Sequence, residues 1–286
     1  MITIIQIVSS IFSHVGDMFS NVCDIFSYDF MCNAFIAGTM AAIVSAIMGY
    51  FMVLRAQAFA SHALSHIGFA GAAGAGLIGL SPPAGQLGLT LIAAICMGGM
   101  GERAAKSDVA IGVTLAFSLG LGILFLYFYS NYAGHAMSIL FGDLLSVSHA
   151  LLKTMFYYSV ISLLGLVFLA KPLLFATLEP ELAEAKGVSL HLISILFLVL
   201  VSIAITEASQ VVGILLVFAL LIGPAASAIC CTQTFWRGLG LSILFGLIIV
   251  WLGIFLTYFT NWPASFWIST LSFISYLMCK FLGTKI

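Results

Sequence analysis

Two histidines, His62 and His66, are the residues of this chain whose type and spacing best suit chemistry. They lie in a stretch, residues 56–101, that contains no Asp, Glu, Lys or Arg. Residues four apart share one face of an α-helix, so the two imidazoles would stack on the same side. Neutral imidazole is a ligand for zinc, copper, iron and nickel. The pair therefore predicts a transition-metal site; the alternative is two histidines that are hydrogen-bonded inside a helical bundle.

The composition indicates that the helix carrying this pair is embedded in a lipid bilayer. Of the 286 residues, 63% are hydrophobic and only 7% are charged, and the mean hydropathy is +1.22. Soluble domains carry about a quarter charged residues, so this chain cannot cover its surface with groups that water solvates. The sequence predicts an all-α, polytopic transmembrane bundle, in which ionisable side chains are functional by default. A net charge of −1 gives no reason to expect a nucleic-acid partner.

Hydropathy and turn residues divide the chain into nine candidate spans, with residues 1–28 as an interfacial segment before them. A nine-span arrangement places every basic residue except Lys153 on one side, which the positive-inside rule assigns to the cytoplasm. The amino terminus would then lie outside and the carboxyl terminus inside. A broken helix between Thr206 and Gln210 would give eight spans. The spans are predicted near 31–54, 62–80, 85–101, 109–129, 149–170, 190–207, 209–230, 238–259 and 263–282.

Two isolated acids are candidates for the place where an ion enters. Glu207 stands between two predicted spans, where it could recruit cations near the outer face or simply be solvated. Asp143 follows an outer segment and could belong to a vestibule, although Asp is also a common turn former.

The longest charged stretch, residues 178–188, reads Leu-Glu-Pro-Glu-Leu-Ala-Glu-Ala-Lys-Gly-Val. Proline at the start, acids in the first turn, and Lys and Gly at the end are typical of a short, well-capped helix. Such a helix between two spans could dock on a cytoplasmic partner or be a solvated connector.

Several catalytic motifs are absent from the sequence. It has no G-x-x-x-x-G-K-[ST] phosphate loop, no H-E-x-x-H and no nucleophile elbow. The chain is therefore not expected to be an enzyme or to hydrolyse ATP by itself.

Separate blocks of sequence, in the same order, resemble the permease subunits of bacterial zinc/manganese-type ABC importers. The resemblance covers nearly the whole chain from about Tyr28 onward. The blocks are Val53-Leu54-Arg55, Ala63-Leu64-Ser65-His66, Ser107-Asp108-Val109-Ala110-Ile111-Gly112, Leu140-Phe141-Gly142-Asp143, residues 181–187, and Val212-Gly213-Ile214-Leu215-Leu216 through Pro224-Ala225-Ala226.

The resemblance implies a type II importer fold in the bacterial inner membrane, with residues 29–286 forming one permease domain. It also implies a permease homodimer, a cytoplasmic ATPase dimer and an extracytoplasmic metal-binding protein. Residues 178–188 would be the helix that couples to the ATPase, with its contacts at Glu179, Glu181, Ala185 and Gly187.

In this family the block D-A-[LI]-S-H supplies a metal-binding Asp and His. His66 matches the family histidine, whereas His62 stands where the family has Asp. Imidazole is a softer ligand than carboxylate and carries no fixed negative charge, so zinc is predicted ahead of manganese or iron. The metal would be cargo, with no permanently bound cofactor. Protonation at about pH 6 should weaken binding, because imidazolium cannot ligate a metal.

Three alternatives remain open at this point. A secondary transporter or channel using Glu207 as an ion relay would work without an ATPase. An importer of a larger metal chelate would not need paired histidines, and a structural scaffold would bind no metal.

Overall fold

The computed structural model describes residues 28–99, 108–129, 139–142 and 144–283. Within them the chain forms ten α-helices and one short 3-10 helix, Leu144–Ser146. The predicted interfacial segment and Asp143 lie outside the described residues. The α-helices are α1 Asp29–Leu54, α2 Ala58–Leu77, α3 Pro82–Gly99, α4 Asp108–Tyr127, α5 His149–Leu178, α6 Pro180–Ala185, α7 Leu190–Val212, α8 Val217–Cys231, α9 Phe235–Thr260 and α10 Ala264–Gly283.

Helices α1 and α7 form the centre of the bundle and bury side chains along most of their length. Helices α2, α3 and α4 pack together on one side, and α8, α9 and α10 pack together on the other. Helix α5 lies across α1 and α7, and its outer face is apolar, with Phe168 83% exposed. An apolar side chain that points outward is favourable only where lipid replaces water. Among the described residues, four helices are long and apolar enough to cross a membrane: α1, α5, α7 and α9.

The glycine-rich sequence of α2 lets a neighbouring helix approach its backbone. A Cβ added at Gly71 would overlap the Gly85 carbonyl oxygen of α3, and one added at Gly85 would overlap the Gly71 carbonyl oxygen. These two glycines therefore let α2 and α3 approach each other closely.

Helix α5 is longer than predicted. The predicted span ends near residue 170, but the helix continues through Pro172 to Leu178. Proline removes one backbone hydrogen bond, and a long membrane helix tolerates that loss when its neighbours hold it in place.

The predicted boundary between the spans 190–207 and 209–230 is placed too early, because α7 continues through Thr206 and Gln210 to Val212. The polar side chains here bond to their own helix: the Thr206 hydroxyl donates to the Ser202 carbonyl at 2.9 Å, and the Ser209 hydroxyl to the Thr206 carbonyl at 2.8 Å. Polar residues that are satisfied in this way do not have to leave the helix.

The break falls instead at residues 213–216, where the chain crosses the segment 139–142. Gly213 has φ +76° and ψ 161°, a conformation that glycine alone adopts readily. The backbone amides of Ile214 and Leu215 donate to the carbonyls of Ile139 (3.4 Å) and Leu140 (3.2 Å). These bonds supply the partners that the unwound backbone would otherwise lack.

Candidate metal site

His62 and His66 lie one turn apart in the first half of α2, as the sequence predicts. Their ring centroids are 4.6 Å apart and the ring planes are nearly perpendicular, at 87°. His66 is 7% exposed, whereas His62 is half-buried. The spacing has therefore brought two imidazoles into contact on one helix face.

Aromatic side chains lie against His62, the less buried histidine of the pair. The ring of Phe218, the second residue of α8, lies 5.2 Å from the His62 ring at an interplanar angle of 69°. Phe59, one turn earlier on α2, lies 6.1 Å from the same ring. Because α8 begins directly after the 213–216 break, that break determines where Phe218 meets His62.

In the described part of the chain, one ring nitrogen of the pair lacks the hydrogen bond that a purely structural histidine would make. Among the described residues, Nδ1 of His66 is buried and has no hydrogen-bond partner. Two hydroxyls on α2 donate their protons to carbonyls of their own helix, Ser61 to Ala58 at 2.7 Å and Ser65 to Ser61 at 2.9 Å, so neither donates to this nitrogen. Buried polar atoms are nearly always bonded, so an unpartnered ring nitrogen favours a ligand role over a structural one.

Two imidazoles do not complete a metal coordination sphere. In the described part of the chain, no group of three or more His, Cys, Asp or Glu side chains is placed to hold a metal ion. The arrangement can therefore supply two nitrogen ligands, and further ligands would have to come from water or from groups outside this pair.

The predicted ion-recruiting acid, Glu207, is neither solvated nor in a loop. It lies inside α7, is 0% exposed, and accepts a hydrogen bond at Oε1 from the hydroxyl of Ser159 on α5. Its other oxygen has no partner among the described residues. The solvated alternative is wrong, because packing of α5 against α7 encloses the carboxyl group. Ion recruitment by Glu207 and Asp143 stays a prediction.

Residues 178–188 form the predicted short helix. Helix α6 has proline in its first turn. In the turn after its last residue, the Gly187 amide donates to the Glu184 carbonyl and the Val188 amide donates to the Ala183 carbonyl. This is the Schellman pattern, and Gly187 supplies its positive φ of +82°.

The outer surface of α6 is open. Of its residues only Ala183 is buried. Beside it lies a shallow hollow, whose lining includes the acids Glu179 and Glu181 and two exposed leucines, Leu178 and Leu182. The hollow is lined by Leu178, Glu179, Pro180, Glu181, Leu182 and Ala185. Three of the predicted contact residues, all except Gly187, therefore share one surface.

Sequence reasoning missed one buried polar centre, at Arg55 between α1 and α2. The guanidinium is only 8% exposed and bonds side chains on three segments. A single arginine between an apolar span and an uncharged stretch is the signal that could have drawn attention to it.

The helices described above define an all-α, multi-pass membrane protein. The chain belongs to the ABC 3 transport family, and the match spans residues 27–283. The resemblance to permease subunits of metal ABC importers is thereby confirmed, and the chain is a transport subunit, not an enzyme.

Two named relatives and one solved structure are similar over most of the chain. MntC of Halalkalibacterium halodurans, a manganese transport system membrane protein, is 32% identical over 230 residues, 80% of this chain and 79% of that protein. ScaB of Streptococcus parasanguinis, a manganese import system permease protein, is 30% identical over 259 residues, 90% of this chain and 92% of that protein. PsaBC from Streptococcus pneumoniae, solved in complex with a Fab, has a TM-score of 0.82 at 28% identity, covering 92% of this chain and 95% of that chain.

Proposed function

We propose that this chain is the membrane path for a divalent transition-metal ion and that His62 and His66 hold the ion briefly during its passage. The observation that carries the proposal is the imidazole pair on a largely buried membrane helix, in which Nδ1 of His66 has no hydrogen-bond partner among the described residues. An incomplete site suits transport, because an ion held by too many ligands would not leave.

Manganese is the cargo that we propose first. The names of the similar proteins refer to manganese, and they do not support the zinc predicted from the imidazole pair. The chemistry of the pair still matters, because imidazole sites bind zinc more tightly than manganese. Zinc should therefore compete with manganese at this site even where manganese is the ion transported.

The full transporter that we propose contains a second copy of this chain, a cytoplasmic ATPase pair and an extracytoplasmic metal-binding protein. The exposed hollow on α6 supports a docking role for residues 178–188, and the two-ligand site supports the need for a further chain or water. Rigid-body movement of the helices, driven by the ATPase, would change the side to which the ion path opens. The amino terminus would lie outside and the carboxyl terminus in the cytoplasm.

The test uses the permease assembled with its ATPase in lipid vesicles, with metal content measured by mass spectrometry after incubation with manganese, zinc or iron. We expect ATP-dependent manganese uptake, and we expect His66→Ala to reduce it to the level seen without ATP. His149→Ala is the matched control, because this histidine is exposed at the start of α5.

A third variant tests the ligand chemistry. His62→Asp restores the carboxylate found at this position in the family and should weaken zinc competition relative to manganese uptake, because carboxylate is the harder ligand. Manganese uptake that is equal in His66→Ala and the parent chain would refute the site. Uptake that persists without ATP would favour a secondary transporter.

A further inference from the structure

Arg55 joins three parts of the chain through one buried side chain. It follows the last residue of α1, and its Nε donates to Oε1 of Gln57 at 3.3 Å. Its Nη1 donates to the Thr177 hydroxyl at 3.2 Å and its Nη2 to the Ser194 hydroxyl at 2.9 Å. The guanidinium carbon lies 5.8 Å from the centre of the Phe197 ring.

The partners of Arg55 lie next to α6 and at the start of α2. Thr177 is the last residue but one of α5 and Ser194 lies just over one turn into α7, so they lie on either side of α6 along the chain. Gln57 immediately precedes α2, the helix that carries His62. One guanidinium therefore touches both flanks of the exposed helix and the start of the helix that carries the imidazole pair.

The chemistry of arginine makes this connection stiff. The guanidinium is planar and presents its donors in a fixed fork, so three acceptors bound to it are held at fixed relative positions. Removing any one acceptor takes a hydrogen bond away from a buried charge, which is more costly than the loss of a neutral hydrogen bond. Small displacements of α5 and α7 near α6 must then move Gln57 with them.

We propose that Arg55 is a positioning residue that transmits displacement of α6 to the start of α2, and hence to the metal-binding face. The proposal rests on the proposed function, since it assumes that α6 meets the ATPase and that α2 carries the ion. Arg55 itself need not touch the metal.

The experiment changes the acceptors and leaves the arginine in place. Thr177→Val removes one acceptor with little change in shape, Thr177→Ser keeps it, and Ser194→Ala removes the other. Thr39→Val is the matched control, because Thr39 also accepts an interhelical hydrogen bond, from Trp251 Nε1 at 3.0 Å, on the α1–α9 face.

The measured quantity is metal transported per ATP hydrolysed, for the permease assembled with its ATPase in vesicles supplied with manganese. Hydrogen bonds to charged groups change equilibria by roughly tenfold or more, so Thr177→Val and Ser194→Ala should lower this ratio about tenfold while ATP hydrolysis continues. Thr177→Ser and Thr39→Val should keep the ratio of the parent transporter.

Two results would overturn the proposal. One is an unchanged ratio in both Thr177→Val and Ser194→Ala. The other is less assembled complex with a normal ratio in the fraction that assembles, which would assign Arg55 a structural role only. Failure of the proposed function looks different, because the parent transporter itself would then move no metal.

Discussion

Gly213 offers a direct test of how the break between α7 and α8 is built. The perturbation is Gly213→Ala. The added methyl group would overlap backbone atoms of Phe141 and Gly142, which belong to the crossing segment and cannot rotate away as a side chain could. The backbone of Gly213, at φ +76° and ψ 161°, is also strained for any residue with a Cβ.

A matched control separates the two costs. Gly187, at the end of α6, also has a positive φ (+82°), but a Cβ added there meets nothing within 4 Å. Gly187→Ala should therefore lose about 1–2 kcal/mol of stability through backbone strain alone. Gly213→Ala should lose about 2–6 kcal/mol of stability. Its backbone strain is at least as large as that of Gly187→Ala, and the overlap of the new methyl group with the crossing segment adds to it.

The assay is thermal unfolding of the purified permease in detergent, followed by the amount of monodisperse protein that survives heating. We expect the midpoint of Gly213→Ala to lie clearly below that of Gly187→Ala, which in turn lies below the parent chain. Equal midpoints for the two variants would show that the crossing of residues 139–142 and 213–216 is not tightly packed, and the account of the break would be wrong. Because α8 follows the break, a shifted crossing should also move Phe218 away from His62.

Two further predictions concern other buried and exposed groups. Ser159→Ala should destabilise the protein by about 1–3 kcal/mol, because Oε1 of Glu207 then loses the only partner seen for this carboxyl group in the described residues. Ser118→Ala is the control, since the Ser118 hydroxyl donates to a carbonyl of its own helix, and it should have little effect in the same melting assay. Equal losses of stability in the two variants would contradict the reasoning. Glu181→Ala should lower the amount of metal transported per ATP hydrolysed, because Glu181 lines the hollow on α6. Glu184→Ala is the control and should have a smaller effect, because it changes an exposed acid outside that hollow. Equal effects of the two variants would place the docking surface elsewhere.

Features that depend on short spacings could be predicted from the sequence. The contact between His62 and His66 follows from helix geometry, since residues four apart lie one turn apart whatever surrounds them. Helix α6 was predicted for the same reason, because proline near its start and Gly187 at its end act on their own backbone. Apolar composition over tracts of membrane length predicted the remaining helices, with errors at Pro172 and Glu207.

The error at Glu207 arose where a distant part of the chain supplies what the local sequence lacks. Glu207 remains inside α7 because Ser159, 48 residues earlier, gives its carboxyl group a partner. The helix ends at Gly213 because residues 139–142 cross it there and accept the hydrogen bonds of Ile214 and Leu215. Neither contact leaves a mark in the sequence next to the residue that it affects.

The sequence by itself therefore determined that this protein is a helical membrane bundle with two imidazoles on one helix face and a short exposed helix, because each of these follows from periodicity or composition. Only the tertiary structure decided which polar groups are paired. Arg55 binds hydroxyls 122 and 139 residues away, whereas Nδ1 of His66 has no partner among the described residues. The physical reason is that a buried polar atom must find its partner in space, and packing of the helices sets which atoms lie within reach.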